Sequence, residues 1–364
     1  MARVRDELNQ ASPELAALVS VLPVSYDDLV AVLAPGEAGL IYQRAGDVVH
    51  SFAFDERFIA RATCDAGEVQ ALVRDMRNEV KRPGSDEYRE AAERLYDLLV
   101  RPFDRRLAGQ PLLVVPSGAL SYVPFAALHD GRDFLVSSHV LRVSPSLAAL
   151  GGLPAPQAPE MSNHYLVMAN PRRVDPKVEY VVAEAEARAV LEQYPQATLL
   201  ANSDASAEAF YRLADDQQLI HLAAPGELRP DEPFSSRLLL APTSDSNGDI
   251  TVEDLFGLSL QARLVVLSGF ETDPDRGVTG DELVGLYRGL FYAGAEGVVG
   301  TLWRVGDEST ALVMRELYRQ IRQGQPAATA LQRAQIAAME DFPHPYFWSS
   351  FQYAGLEFRP VVSG

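Results

Sequence analysis

Apolar runs that alternate with helical segments over the last two thirds of the chain constrain its fold more than any other feature. Several of these runs are apolar at every position, which is typical of strands buried on both faces of a parallel sheet. The predicted strands are Leu112–Val115, Tyr165–Ala169, Leu219–Ala223, Arg237–Leu240, Leu264–Ser268 and Gly297–Leu302, and the predicted helices are Val178–Gln193, Ser206–Ala214, Val252–Leu258, Asp281–Ala293 and Asp307–Arg322. This alternation predicts an α/β fold in which a mostly parallel sheet is flanked by helices.

The first part of the chain follows a different pattern. Two short β-like runs surround a turn at Arg44-Ala45-Gly46, and two helical stretches follow them on either side of the breaker Arg82-Pro83-Gly84. The predicted elements are the strands Ala38–Gln43 and Asp47–Phe54 and the helices Gly67–Val80 and Asp86–Val100. The sequence therefore predicts a smaller N-terminal α+β region, residues 1–105, and a larger α/β domain, residues 106–364.

The charge of the chain disfavours two classes of partner. Lys and Arg total 32 against 50 Asp and Glu, which gives a formal net charge of −18. A chain this acidic, without a basic tract, repels nucleic-acid phosphates and anionic membranes, so we expect neither as a partner. The single cysteine, Cys64, allows no intramolecular disulfide and no cysteine-based metal cluster, and the N-terminus has no apolar signal core. We therefore expect a cytoplasmic protein without a metal or cofactor.

Two predicted strand ends carry the residues at which chemistry would occur, because ligands of open α/β sheets bind beyond the carboxyl ends of strands. The first strand end contains His221, Pro225 and Gly226, and the second contains Ser268-Gly269-Phe270. Pro225 and Phe270 are 270 − 225 = 45 residues apart. Caspase-like cysteine peptidases place a histidine about 50 residues before their cysteine, each at the end of a strand. The comparison with these peptidases therefore implies that the two strand ends are neighbours.

The chain resembles the CHAT domain, a caspase-like family in the same clan as caspases and separases. The resemblance extends from about Tyr26 to Glu357, and four segments carry it: VPSGALSYVPFAAL at 115–128, Ser-Pro-Ser at 144–146, LWRVGD at 302–307 and HPYFW at 344–348. It implies a caspase-like fold and, in active members, a cysteine peptidase. Family members often carry tetratricopeptide repeats upstream, and this chain contains no such repeat.

The chain departs from the family pattern at both catalytic positions. The first family motif resembles His-x-Ala-x-His-Gly, and this chain has Pro225 where the basic histidine would stand. The second motif resembles Leu-Ser-Ala-Cys-x-Thr, and this chain has Phe270 where the nucleophilic cysteine would stand. Phenylalanine has no nucleophilic atom and proline has no proton acceptor on its side chain. The resemblance therefore implies a bacterial pseudoprotease that regulates or scaffolds another protein, such as an active CHAT protease.

Other groups could still act at these strand ends. Ser268 could be the non-standard nucleophile of a peptidase, although a small buried strand residue is the ordinary role of such a serine. His221 is expected to be a packed, hydrogen-bonded histidine, and backbone N–H groups at Gly226, Gly269 and residue 270 could retain an oxyanion pocket. The altered cleft could also bind a small molecule as a sensor. The acids Glu271, Asp273, Asp275 and Asp281 form either a solvated loop or a binding loop for a basic peptide segment.

Overall fold

A computed structural model of the chain describes residues 25–151, 164–173, 182–229, 231–270 and 281–356. Within these ranges thirteen strands form one sheet, in which seven strand pairs are parallel and five are antiparallel. The strands are β1 Ala38–Ala45, β2 Val48–Phe54, β3 Ile59–Asp65, β4 Leu112–Val115, β5 Leu141–Val143, β6 Tyr165–Ala169, β7 Thr198–Ala201, β8 Leu219–Glu227, β9 Arg237–Leu239, β10 Asp249–Thr251, β11 Leu264–Gly269, β12 Gly297–Thr301 and β13 Phe351–Gly355. The expected α/β fold with a mostly parallel sheet is confirmed.

Helices flank this sheet along the described chain. They are α1 Tyr26–Ala31, α2 Ala66–Val80, α3 Tyr88–Leu99, α4 Asp104–Leu107, α5 Leu135–Ser138, α6 Leu147–Gly151, α7 Val182–Gln193, α8 Ala207–Leu213, α9 Val252–Leu255, α10 Asp281–Tyr292, α11 Asp307–Arg322 and α12 Ala327–Asp341. Helix α9 ends before its predicted limit at Leu258, and Gly257 follows that shortened end. Among the described helices, none combines the length and apolarity needed to cross a bilayer.

The order of the strands brings four parallel strand ends to one edge of the sheet. The order is β10-β9-β8-β11-β12-β13-β5-β4-β1-β2-β3, and β6 pairs with β8 and with β7 outside this path. The first five residues of β8 pair with β6, and its last two pair with β9. Because β6, β8, β11 and β12 run parallel, their carboxyl ends lie at the same edge, where α/β proteins bind ligands.

The N-terminal strands continue the same sheet. β1 and β2 form the predicted antiparallel hairpin, in which Gly46 adopts a φ of +61° that a tight hairpin turn favours. β1 also pairs in parallel with β4, so the sheet crosses the predicted boundary between residues 105 and 106. That boundary stays a prediction. The guanidinium of Arg142 in β5 joins the two parts, since it donates to the carboxylate of Glu37 at 3.0 Å and to the carbonyl of Gly355 at 2.8 Å.

The core lies between the sheet and the amphipathic faces of its helices. Helix α11 packs against both α7 and α12. Its residues Ala311, Met314, Leu317 and Ile321 recur at helical spacing and are all buried. Helix α2 is capped by the carboxylate of Asp65, which accepts a hydrogen bond from the backbone N–H of Glu68 at 2.7 Å. These packed helices fix the sheet, and with it the strand ends at which the candidate site lies.

Candidate functional site

The carboxyl ends of β8 and β11 lie side by side, as the spacing in the sequence indicates. The two strands are in parallel register from Leu219 opposite Leu264 to Leu222 opposite Leu267, after which Pro225 lies opposite Gly269. β8 thus advances three residues while β11 advances two, which is a β-bulge on β8. A bulge tolerates proline, which has no N–H to donate to a sheet ladder. Pro225 and Gly269, the residue before Phe270, are therefore sheet partners.

Gly269 allows the two backbones to approach closely at this bulge. A Cβ atom at position 269 would lie 2.2 Å from the carbonyl oxygen of Ala224 and 2.7 Å from its carbonyl carbon. Any larger residue would push the strand ends apart, because backbone atoms cannot yield at such distances. The sequence shows the glycine, but the close contact with Ala224 that requires it is visible only in the structure.

The side chain of Phe270 fills the space between the strand ends. It is 1% exposed, and its ring lies directly against Gly226. A Cβ atom at Gly226 would lie 2.0 Å from Cε1, 2.2 Å from Cζ and 2.3 Å from Cδ1 of that ring. The hydroxyl of Thr301 donates a hydrogen bond to the carbonyl of Phe270 at 2.8 Å. Position 270 is therefore a fixed part of the core and offers no atom for nucleophilic attack.

β8 extends through Pro225 and Gly226 to Glu227, so the predicted end of this strand at Ala223 is wrong. The extension arises because Gly226 and Glu227 pair antiparallel with Leu238 and Arg237 of β9. Pro225 is buried within the strand and is not part of a turn. The oxyanion pocket expected at Gly226 and Gly269 stays a prediction, and the ring of Phe270 occupies the space beside Gly226.

His221 is held in the core by two partners. Its side chain is 0% exposed, its Nδ1 lies 2.7 Å from the hydroxyl of Tyr318, and its Nε2 lies 3.1 Å from Oε1 of Glu186. The latter pair is not aligned as a hydrogen bond. Burial, with the nearby charge of Glu186, raises the pKa of Tyr318 well above its ordinary value, so its hydroxyl stays neutral where it is hydrogen-bonded with Nδ1. The imidazole thus serves packing between β8, α7 and α11.

Ser268 and Cys64 are the other two groups considered as nucleophiles. Ser268 lies in β11 at the bulge and is partly exposed, and no hydrogen bond among the described residues joins it to an imidazole. Cys64 lies in β3, the strand at the far end of the sheet order. Burial, together with the nearby carboxylates of Glu68 and Asp65, raises the pKa of its thiol. Within the described ranges, neither group is hydrogen-bonded to an imidazole that could activate it as a nucleophile.

Two acidic groups at this edge, Glu227 and Asp249, are paired with arginines of the chain itself. Glu227 accepts hydrogen bonds from Arg237 at 2.6 and 2.8 Å, and Asp249 binds Arg237 and Arg173, each at 2.7 Å. Partial burial would raise the pKa of Glu227, but the bonds from Arg237 outweigh it and the pKa is lowered. This network was not predicted from the sequence, because the pairing of β8 with β9 that sets Glu227 opposite Arg237 is visible only in the fold.

Most of the predicted acidic binding loop lies outside the described residues. Glu271, Asp273 and Asp275 lie outside the described residues, and Asp281 is the first residue of α10. Within the described ranges, no group of three or more His, Cys, Asp or Glu side chains is arranged to hold a metal ion.

Two curated relatives match part of the chain. It is 32% identical over 112 residues to tetratricopeptide repeat protein 28 of Mus musculus, and 28% identical over 151 residues to the Homo sapiens protein of that name. The matches cover 30% and 41% of this chain, but 4% and 6% of the relatives. The chain therefore spans only a small part of the length of the relatives it matches.

Solved structures of low sequence identity share the fold. Two crystal structures of the Saccharomyces cerevisiae separase–securin complex match with TM-scores of 0.62 and 0.60 at 10% identity, and each match covers 97% of this chain and 32% of the other. At this identity the likeness shows the caspase-like fold alone. The family model described as CHAT domain matches residues 89–356, which is 356 − 89 + 1 = 268 of 364 residues. The chain belongs to the CHAT domain family.

Proposed function

We propose that this chain is a catalytically inactive CHAT pseudoprotease that regulates or scaffolds another protein. The observation that carries the proposal is the ring of Phe270, which is buried against Gly226 beside Pro225 at the strand ends. A cysteine peptidase needs a nucleophilic heteroatom and a proton acceptor within hydrogen-bond reach of it. Neither a benzyl group nor a pyrrolidine ring supplies one.

The scaffold around these two residues supports a role in binding. β8 and β11 keep their parallel register up to the bulge, and Gly226 and Gly269 accommodate the close contacts of the altered tips. A folded domain can present surfaces to a partner without any chemistry of its own. Separase in the matched structures is in complex with securin, which supports a protein as the partner class here. We propose an active CHAT protease or a basic peptide segment as that partner.

A peptidase that uses Ser268 is the second candidate, because that hydroxyl is partly exposed beside the strand ends. The two candidates are separated by incubating the chain with fluorogenic peptides ending in Arg or Lys and with a serine-reactive fluorophosphonate probe. We expect no turnover above a protein-free blank and no labelling at Ser268. Turnover by the native chain that Ser268→Ala abolishes would contradict the pseudoprotease assignment.

The binding half of the proposal is tested by purification of the tagged chain from its native host, with quantitative mass spectrometry against an untagged control. We expect one specific protein to be enriched, and its binding is then measured with both purified components. Enrichment of no protein above the control would contradict the binding role.

A further inference from the structure

Three aromatic rings from three separate elements form a ladder that ends at the surface. The rings of Phe234 and Phe256 have centroids 6.0 Å apart, and those of Phe256 and Tyr292 have centroids 5.1 Å apart. Phe234 is 57% exposed, and the other two residues are half-buried. We call Phe234, Phe256 and Tyr292 the aromatic ladder. The exposed ring of Phe234, backed by the other two, offers an apolar surface that a side chain of a partner can contact.

The exposed end of the ladder is held in place before any partner binds. Phe234 lies in a single 3₁₀ turn, Pro233–Ser235, that packs on α9 and α10. The next residue, Ser236, is fully buried, where its hydroxyl accepts from the N–H of Arg229 at 2.9 Å and its carbonyl accepts from the N–H of Val252 at 2.8 Å. A turn fixed in this way loses little conformational entropy when a partner binds.

Exposed carboxylates close to the ladder in sequence indicate the charge of its partner. Four exposed acids lie two or three residues before the two phenylalanines: Asp231, Glu232, Glu253 and Asp254. Asp231 and Glu253 form no ion pair within the described part of the chain, and Glu232 has only a 3.9 Å contact with Arg229. Arg229 is itself bonded to Glu227 at 3.2 Å, and Arg288 of α10 is partly buried. An acidic rim around an apolar centre favours a partner with basic groups flanking an apolar one.

We propose that the aromatic ladder is a docking site for a peptide segment of a partner protein, in which an apolar or aromatic side chain is flanked by Lys or Arg. The inference rests on the proposed protein-binding role and names its surface and the chemistry of its partner. A second copy of this chain fits less well, because two acidic rims would face each other and the chain carries a net charge of −18. Aromatic side chains that contact a partner's apolar residue commonly dominate binding energy.

Short peptides from a displayed random library are selected for binding to the native chain. Their binding to the variants Phe234→Ser and Ile59→Ser is then compared with their binding to the native chain. Ile59 is the matched control, because it is 56% exposed and lies in β3 at the other end of the sheet order. Dissociation constants of the selected peptides are then measured by fluorescence anisotropy. We expect selected peptides to combine an apolar residue with flanking Lys or Arg, and to lose affinity about tenfold or more in Phe234→Ser. Ile59→Ser should bind as the native chain does.

A second variant tests the charge of the rim. Asp231→Asn combined with Glu253→Gln should weaken binding of the same peptides and reduce its dependence on salt, because those carboxylates then no longer attract Lys and Arg. Both positions are exposed, so the fold should be unaffected.

Several results would overturn the docking site. These are the absence of any enriched peptide, selected peptides without basic residues, and affinities that Phe234→Ser leaves unchanged. A dimer in analytical ultracentrifugation that Phe234→Ser abolishes would assign the ladder to a second copy instead. Selected peptides that bind elsewhere on the chain would contradict the docking site at the ladder but not the protein-binding role. Cleavage of those peptides by the native chain would contradict the pseudoprotease proposal.

Discussion

Replacing Gly226 by alanine should destabilise the chain through one contact, the ring of Phe270. The new Cβ atom would lie 2.0–2.3 Å from three carbons of a ring that is 1% exposed, so either the ring or β8 must move. Overpacking of this kind typically costs about 1–3 kcal/mol. The backbone at Gly226 does not have a positive φ, so alanine adds no strain of its own. The matched control is Gly84→Ala, where a Cβ atom would have no neighbour within 4 Å and stability should stay within about 0.5 kcal/mol.

The second arm of this experiment removes the ring. Phe270→Ala should cost about 3–5 kcal/mol, because it leaves a cavity in a packed core. In the double variant the alanine Cβ at 226 enters part of that cavity, so the two costs should not add. We expect the double variant to be more stable than the sum by about 1 kcal/mol or more. The free energies of unfolding are obtained from urea titrations followed by the fluorescence of the buried Trp303 and Trp348. Additive costs, or a Gly226→Ala variant as stable as the native chain, would refute the contact.

Three further predictions concern groups outside the strand ends. Burial lowers the pKa of His344, whose Nε2 bonds the carbonyl of Ser85 at 2.9 Å. The pKa of His344 is therefore lower in the folded than in the unfolded state, so its contribution to stability is complete above about pH 6.5 and is lost as the pH falls. The melting temperature of His344→Gln should change less between about pH 7.5 and 5.5 than that of the native chain. Arg142→Ala should cost about 3–5 kcal/mol in urea unfolding, because Glu37 is then left buried and unpaired, and Arg142→Ala with Glu37→Ala should cost less than the sum of the single changes. Tyr318→Phe removes the hydroxyl bonded to the buried imidazole of β8 and should cost about 1–3 kcal/mol in the same assay.

The sequence predicts the strands that are apolar throughout, because burial on both faces leaves a pattern visible in a few adjacent residues. β4 and β6 are of this kind. β5 was not predicted, because its three residues include Arg142, whose charge is balanced by a carboxylate 105 residues earlier in the chain. β3 was not predicted either, since its partly buried face consists of small residues with little strand preference, such as Ala60 and Ala62.

Some features of the candidate site were predictable from local sequence, whereas others depend on contacts between residues that only the fold brings together. Two sequence motifs were enough to predict that Pro225 and Phe270 lie at neighbouring strand ends. The bulge on β8 was not predictable, because it depends on the backbone contact of Gly269 with Ala224. The aromatic ladder left no signal, since its three rings come from segments that are distant in the chain and only the fold brings them together.

Catalytic inactivity is tested most broadly by a search for any peptide bond that the chain can cut. A proteome-derived peptide library is incubated with the native chain, with Ser268→Ala and without protein, and new termini are identified by mass spectrometry. The expected result is the same set of termini in all three samples, because Phe270 and Pro225 occupy the described strand ends and Ser268 has no hydrogen bond to an imidazole among the described residues. A reproducible set of new termini that only the native chain produces would contradict it.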